Sequence, residues 1–336
     1  MAYETEDNKT QYCFPAINSS CIKTIRSTHE YNIMYVFFSL LSAWTVFLNL
    51  LVIISICHFK KLHTPTNMLI LSLAVADLLI GLIIIPLNAI KLIETCWYFG
   101  DNFCGLYSVV IGLLPSASLS HLILIAVDRY VAVCHPLLYP QKITTAKTIL
   151  SICICWFCST AYNTALVSSN THSDLQIMDG CYGKCFFTIS YAWGVTDLII
   201  SFLFPCAVII TLYLRIFYVA HQQVKVINSL LKGGKHVMKG SLKRKSEGKA
   251  ALTLGLIVTV YLLCYIPYFI LSLSENTEMI SIAFVLLWIL YINSAVNPII
   301  YALFYPWFKM SVKHIITLKI FQPASSLVTI FTDYQS

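Results

Sequence analysis

The sequence predicts an all-α fold, a bundle of seven membrane-crossing helices followed by a short amphipathic helix. Three observations predict it. Of 336 residues 58% are hydrophobic and only 11% charged, and the mean hydropathy is +0.76, whereas soluble domains carry about 25% charged residues. Runs of roughly 20 apolar residues, the length that crosses a bilayer as a helix, recur at about 32–58, 67–93, 103–134, 147–168, 189–219, 250–273 and 280–304. The basic residues are also sorted. Five of the 22 (Lys9, Lys23, Arg26, Lys91 and Lys184) fall on the side of the N-terminus and the rest on the other, and the positive side faces the cytoplasm. The formal net charge of +7 thus expresses membrane topology with the N-terminus outside, and not a nucleic-acid partner. The chain divides into an outer segment 1–31, a transmembrane domain 32–304, and an amphipathic helix with a tail, 305–336.

Residues 1–30 are polar and lack the basic-then-apolar order of a cleavable signal peptide, so the first span is expected to act as its own anchor. Asn8-Lys9-Thr10 and Asn18-Ser19-Ser20 are glycosylation sequons on the outer side. The thirteen cysteines split in two. Cys57, Cys134, Cys153, Cys155, Cys158, Cys206 and Cys264 lie in or at the inner ends of spans and read as small packing residues. Cys13, Cys21, Cys96, Cys104, Cys181 and Cys185 lie outside, where disulfides form. Sequence alone does not fix their pairing.

Polar groups inside the spans are few, and each needs a reason. Asn49 on span one must face other helices. Asp77 on span two is a carboxylate near mid-membrane, and its company is expected to be Ser118 on span three with Asn293, Ser294 and Asn297 on span seven. Such a set offers oxygens to a hard monovalent cation; the alternative is a polar, water-filled network. Span three runs from Cys104 to Asp128-Arg129-Tyr130 and Cys134. Span six carries Cys264-Tyr265-Ile266-Pro267, where a proline inside the helix removes a hydrogen bond and makes a hinge. Span seven ends in Asn297-Pro298-Ile-Ile-Tyr301-Ala-Leu-Phe-Tyr305-Pro-Trp307-Phe308.

The cysteine and Asp-Arg-Tyr at the two ends of span three, with Asn-Pro-x-x-Tyr on span seven, resemble class A G-protein-coupled receptors. The extension from Tyr305 to Trp307-Phe308 resembles the trace amine-associated receptors, and the likeness runs from Cys21 to about Phe321. This resemblance implies a bridge from Cys104 to Cys185 and a second from Cys181 to an N-terminal cysteine, for which Cys21 suits better than Cys13; Cys13 and Cys96 stay unassigned. It implies that Trp97-Tyr98-Phe99-Gly100 braces Cys104, that Asp77 and its neighbours hold sodium, and that Asp128 and Arg129 keep the inner ends of spans three and six closed. It implies that Tyr213 and Tyr301 meet near Arg129 on activation. Tyr265 stands where most relatives have tryptophan. No cysteine follows the basic helix 309–321, which is expected to lie on the inner leaflet.

The resemblance raises the question of the ligand. Aminergic receptors pair the ligand ammonium with an aspartate eighteen residues before the motif arginine, a position occupied here by Ile111, and no acid lies between Cys104 and Val127. Asp197 on span five, beside Thr196 and eight residues (about 12 Å) outward of Pro205, is the substitute. Some trace amine-associated receptors carry an aspartate there. An amine would then bind with its charge toward span five, with Tyr265, Tyr268, Phe269, Trp288 and Tyr291 lining the rest and offering cation–π faces. The alternatives are a protonated or structural Asp197 with a non-amine ligand, and a small transporter. A transporter predicts internal repeats and a path of ionisable groups, whereas, Asp128 at the inner end of span three aside, Asp77 and Asp197 are the only acids within the spans. No nucleophile with a base and no metal-ligand spacing supports an enzyme. The resemblance further implies a stimulatory G protein that raises cyclic AMP, volatile amines as ligands, the plasma membrane of olfactory neuron cilia, and arrestin and a receptor kinase as additional partners.

Overall fold

The computed structural model describes residues 11–173, 181–185, 190–232, 255–256, 258–266, 277–322 and 325–327. It is helical throughout; among the described residues there is no strand, only two isolated bridges, Tyr12 with Ile22 and Ser20 with Tyr182. Five helices are long and apolar enough to cross a bilayer: Thr28–His58, Pro65–Glu94, Asp101–Cys134, Thr145–Ser169 and Tyr191–Val226. They are spans one to five. Of span six, 255–256 and 258–266 are described. Span seven is the helix Thr277–Phe304, and the chain turns by 99° after it into Pro306–Ile316. A multi-pass membrane protein follows from this architecture.

Span one starts at Thr28, earlier than hydrophobicity suggests, because a capping box closes its first turn: Ser27 accepts from the Glu30 amide and Glu30 accepts from the Ser27 amide. Prolines shape the other outer halves. Pro86 and Pro205 each lack an amide hydrogen and crowd the carbonyl four residues earlier, and the helix ahead of each widens into a π turn, Ile80–Ile84 on span two and Leu198–Leu203 on span five. Ser42 of span one donates to the Gly81 carbonyl at 2.8 Å inside the first of these turns. Pro115 sits within span three and deprives the Ile111 carbonyl of its helical donor.

Span three is the central shaft, packed against spans two, four and five. Its approach to span four is set at Gly112, where an added Cβ would lie 2.3 Å from the Asn163 side-chain oxygen. Asn49 is fully buried and donates to the Thr45 carbonyl and, at 3.0 Å, to the Ser294 carbonyl, tying span one to span seven. His121 of span three is equally buried; its ring touches the Ala117 carbonyl and the Ser72 hydroxyl, which in turn accepts from the Trp156 indole at 3.0 Å. These bonds satisfy polar groups that lipid could not.

Candidate functional site

The outer face is built from cysteines. Disulfides join Cys104 to Cys185, Cys21 to Cys181 and Cys13 to Cys96. The last pair had no assignment in sequence. The N-terminal segment is stitched further to the loop between spans four and five by Cys21 N–H to the Tyr182 carbonyl at 2.9 Å and Tyr182 N–H to the Ser19 carbonyl at 2.7 Å. Gly183 lies at φ +103°, with Cys13 and the Phe14 ring 3.0 Å from where a Cβ would be, so only glycine lets the two segments close. Trp97 is buried, donates its indole to the Gly100 carbonyl at 2.9 Å and stacks on Phe103. Lys23 bridges Glu94 at the outer end of span two, and that bond raises the lysine's pKa. Asn18 is exposed; Asn8 lies outside the described residues.

Beneath this lid, Asp197 is half-buried on the last turn before the π segment of span five. Tyr162 of span four donates to its Oδ1 at 2.8 Å, and Ser201, one turn along span five, donates to the same oxygen at 2.6 Å. Among the described residues nothing is bonded to Oδ2. Thr196 turns its hydroxyl to the Ala192 carbonyl at 2.8 Å. Ile111 is half-buried on span three, in an apolar cluster with Tyr107, Leu114, Tyr291 and Trp288. Trp288 spends one ring face on Phe38 of span one, with centroids 3.9 Å apart, and meets Tyr291 edge-on. Tyr265 is buried and stacks on Tyr261 with centroids 3.9 Å apart. Pro267, Tyr268 and Phe269 lie outside the described residues.

A second polar cluster, absent from the sequence reading, joins spans two, three and seven. Tyr107 donates to Asn88 Oδ1 at 2.6 Å, and the Asn88 amide donates to the Tyr291 hydroxyl; all three side chains are buried. The half-buried Lys91, one turn outward of Asn88, places its ammonium 5.9 Å from the centre of the Tyr107 ring.

Deeper in the bundle, Asp77 is buried and accepts from the Asn297 amide at 2.8 Å and from Ser294. Ser118 Oγ, Asn293 Oδ1 and Asn297 Oδ1 are buried with no hydrogen-bond partner among the described residues. A carboxylate with neutral oxygens left to satisfy is the donor set that a hard monovalent cation takes, so these residues fit sodium.

At the inner face Arg129 and Asp128 are both buried and paired at 2.6 Å. Thr66, at the start of span two, donates to Asp128 at 2.7 Å and accepts from Arg129 at 2.6 Å, and Tyr139 of the following loop donates to Asp128 at 2.9 Å. Burial first, then the charge of Asp128, pushes the Tyr139 phenol up to about 12, so it stays a neutral donor at physiological pH. The described bonds of this pair include ones to span two and the adjoining loop; the inner end of span six, 250–254, against which the pair is expected to close, lies outside the described residues. Tyr130 packs edge-on against His135 with centroids 5.5 Å apart. Tyr213 and Tyr301 are buried with hydroxyls that have no partner among the described residues.

A helical membrane bundle with a disulfide-tied outer lid and an Asp-Arg pair buried at the other end defines a heptahelical receptor. The sequence pattern of the 7 transmembrane receptor (rhodopsin family) matches residues 48–301. Trace amine-associated receptor 13c of Danio rerio is 40% identical over 338 residues, covering 97% of this chain and 98% of that one. Trace amine-associated receptors 6 and 8a of Rattus norvegicus are each 39% identical, covering 96% of this chain and 96% and 97% of theirs. The chain belongs to the rhodopsin family of seven-transmembrane receptors and, within it, to the trace amine-associated receptors. It is accordingly a receptor for a small molecule that acts on a heterotrimeric G protein, and not an enzyme.

Proposed function

We propose that this receptor binds a small amine between spans three, four and five, with the ammonium paired to Asp197, and that occupancy raises cyclic AMP through a stimulatory G protein. The observation that carries the reading is the carboxylate of Asp197, held by two donors on one oxygen in the outer half of the bundle. An ionised acid at that depth needs a cation, and a neutral Ile111 stands where span three would otherwise offer an acid. Two hydroxyl donors occupy Oδ1 and leave Oδ2 to accept from an ammonium. Thr196 and Ile111 border the ammonium; Tyr265, Trp288 and Tyr291, with Tyr268 and Phe269, are the proposed apolar walls.

Asp77, Ser118, Asn293, Ser294 and Asn297 are proposed to hold sodium, which supplies a counter-charge to the buried carboxylate. Arg129, Asp128 and Tyr130 are proposed to form the coupling face, with Tyr213 and Tyr301 as the groups whose unspent hydroxyls regroup when the hinge at Pro267 moves. Volatile amines, olfactory neuron cilia, glycans on Asn8 and Asn18, and recruitment of arrestin and a receptor kinase complete the proposal by family likeness. Cyclic AMP in cells expressing the receptor, measured over a panel of amines and their uncharged isosteres, tests it. Activation by amines alone is expected; isosteres that match the amines in potency contradict it.

A further inference from the structure

Among the described residues two prolines stand inside α-helical runs, Pro115 on span three and Pro298 on span seven. Each lacks the amide that would donate to the carbonyl four residues earlier, so the freed acceptors are those of Ile111 and Ser294. An acceptor stranded inside a membrane span needs a donor from elsewhere. Ser294 has one: the Asn49 amide donates to its carbonyl at 3.0 Å. To the Ile111 carbonyl no side chain of the described residues donates. The hydroxyls on either side along the helix are turned elsewhere, Ser108 to the Cys104 carbonyl at 2.9 Å and Ser116 to Ser159 of span four at 3.5 Å. Ile111, Pro115 and Ser118 share one face of span three. That face looks into the bundle, because Ser118 is buried and Ile111 packs in a cluster with Ile84 of span two and Tyr291 of span seven. Ile111 and Pro115 are nevertheless only half-buried, so open space lies beside the carbonyl. Contacts through span four set its depth. Gly112, next to Ile111, meets Asn163, and Tyr162, next to Asn163, donates to Asp197 at 2.8 Å. The carbonyl and the carboxylate thus lie at one level, on spans three and five, which pack against each other.

We propose that the Ile111 carbonyl, freed by Pro115, is a ligand acceptor, and that the preferred ligands are amino alcohols or similar amines with an ammonium for Asp197 and an uncharged donor for this oxygen. The proposal rests on the reading of Asp197 as the ammonium anchor. A carbonyl can only accept, so the second group of the ligand must carry O–H or N–H. That group is neutral, because one carbonyl beside an isoleucine side chain offers no counter-charge to a second buried cation. Neighbouring helix axes lie about 8–10 Å apart, so a chain of several atoms separates the two groups. The backbone of span three then replaces, with an uncharged acceptor, the side-chain acid that Ile111 lacks.

Linear ω-amino alcohols of increasing chain length, their methyl ethers and the alkylamines of equal length, assayed for cyclic AMP on wild type, Pro115→Ala, Pro115→Ser and Asp197→Asn at matched surface expression, test it. On wild type an amino alcohol of the right length exceeds both its ether and its alkylamine, by roughly threefold to tenfold. The ether keeps the oxygen and loses the donor, so it gains nothing over the alkylamine. Pro115→Ala and Pro115→Ser restore the amide that occupies the Ile111 carbonyl, and each abolishes the advantage of the alcohol while the alkylamine still activates. An advantage absent at every length on wild type, shared by the ether, or intact in both proline variants overturns the acceptor. Where neither proline variant reaches the surface, the comparison of alcohol with ether on wild type decides. If the alkylamine keeps its potency in Asp197→Asn, the anchor reading fails and the two-point ligand with it; if it loses potency there while alcohol and ether stay equal on wild type, only the acceptor on span three is wrong.

Discussion

Tyr162 and Asp197 lie on adjacent spans, four and five, and are joined by a hydrogen bond of 2.8 Å from the phenol to Oδ1. The bond fixes which way the carboxylate points. Ser201 donates to the same oxygen at 2.6 Å, so both described donors fall on Oδ1. A hydrogen bond to a charged group contributes about 1.5–3 kcal/mol, so Tyr162→Phe is expected to lower amine potency at least about tenfold while surface expression holds. Ser201→Ala is expected to cost less, because its partner lies on the same helix. Dose-response curves for one active amine on the three receptors check this, and equal potencies would remove the positioning role of Tyr162.

At the inner face, Asp128 is the hub of four side chains: it pairs with Arg129 and accepts from Thr66 and Tyr139. Asp128→Asn leaves a buried guanidinium without its counter-charge, a change that costs several kcal/mol and favours any state in which Arg129 finds new acceptors. Ligand-free cyclic AMP is expected to rise at equal surface expression. Tyr139→Phe removes one neutral donor and should move the baseline the same way by less. A baseline that stays level or falls in Asp128→Asn counts against the pair as a lock.

The three outer bridges close loops with sequence separations of 83, 160 and 81 residues. Each is expected to contribute about 2–4 kcal/mol, so removing Cys13 and Cys96 together lowers the melting temperature of the solubilised receptor without removing the other two bridges. The bridge of Cys104 anchors the top of span three and the pocket roof, and its loss should reduce signalling more. Mass mapping of the non-reduced, deglycosylated protein decides the pairing; a peptide joining Cys13 to Cys181 would contradict it.

The parts of this structure that a linear reading captures are those written in local pattern. Apolar runs mark the spans, and the ends of spans three and seven carry contiguous signatures. What escaped it depends on partners far apart in the chain. Nothing around Tyr162 says that its hydroxyl reaches Asp197, and Asn88 meets Tyr291 across a separation of 203 residues. Cys13 and Cys96 were the two outer cysteines left over, so an even count was the only hint of their bond. Lys91 was legible as an outer positive charge, but its placement against Tyr107 depends on how spans two and three pack. Thr66 and Tyr139 belong to the same class: the Asp-Arg pair is visible in sequence, whereas its other partners come from a helix start and a loop.

In the proposed binding mode Asp197 receives the charge of the ligand. Asp197→Asn keeps the shape of the side chain and removes its charge, and the loss of a buried pair costs about 3–5 kcal/mol, several hundredfold or more in potency; Asp197→Glu keeps the charge one methylene away and should lose less. The direct measurement is the cyclic AMP dose-response of an active amine and its uncharged isostere on wild type and Asp197→Asn at matched surface expression. The amine is expected to lose its advantage over the isostere on Asp197→Asn. An amine that keeps its wild-type potency on that variant contradicts it.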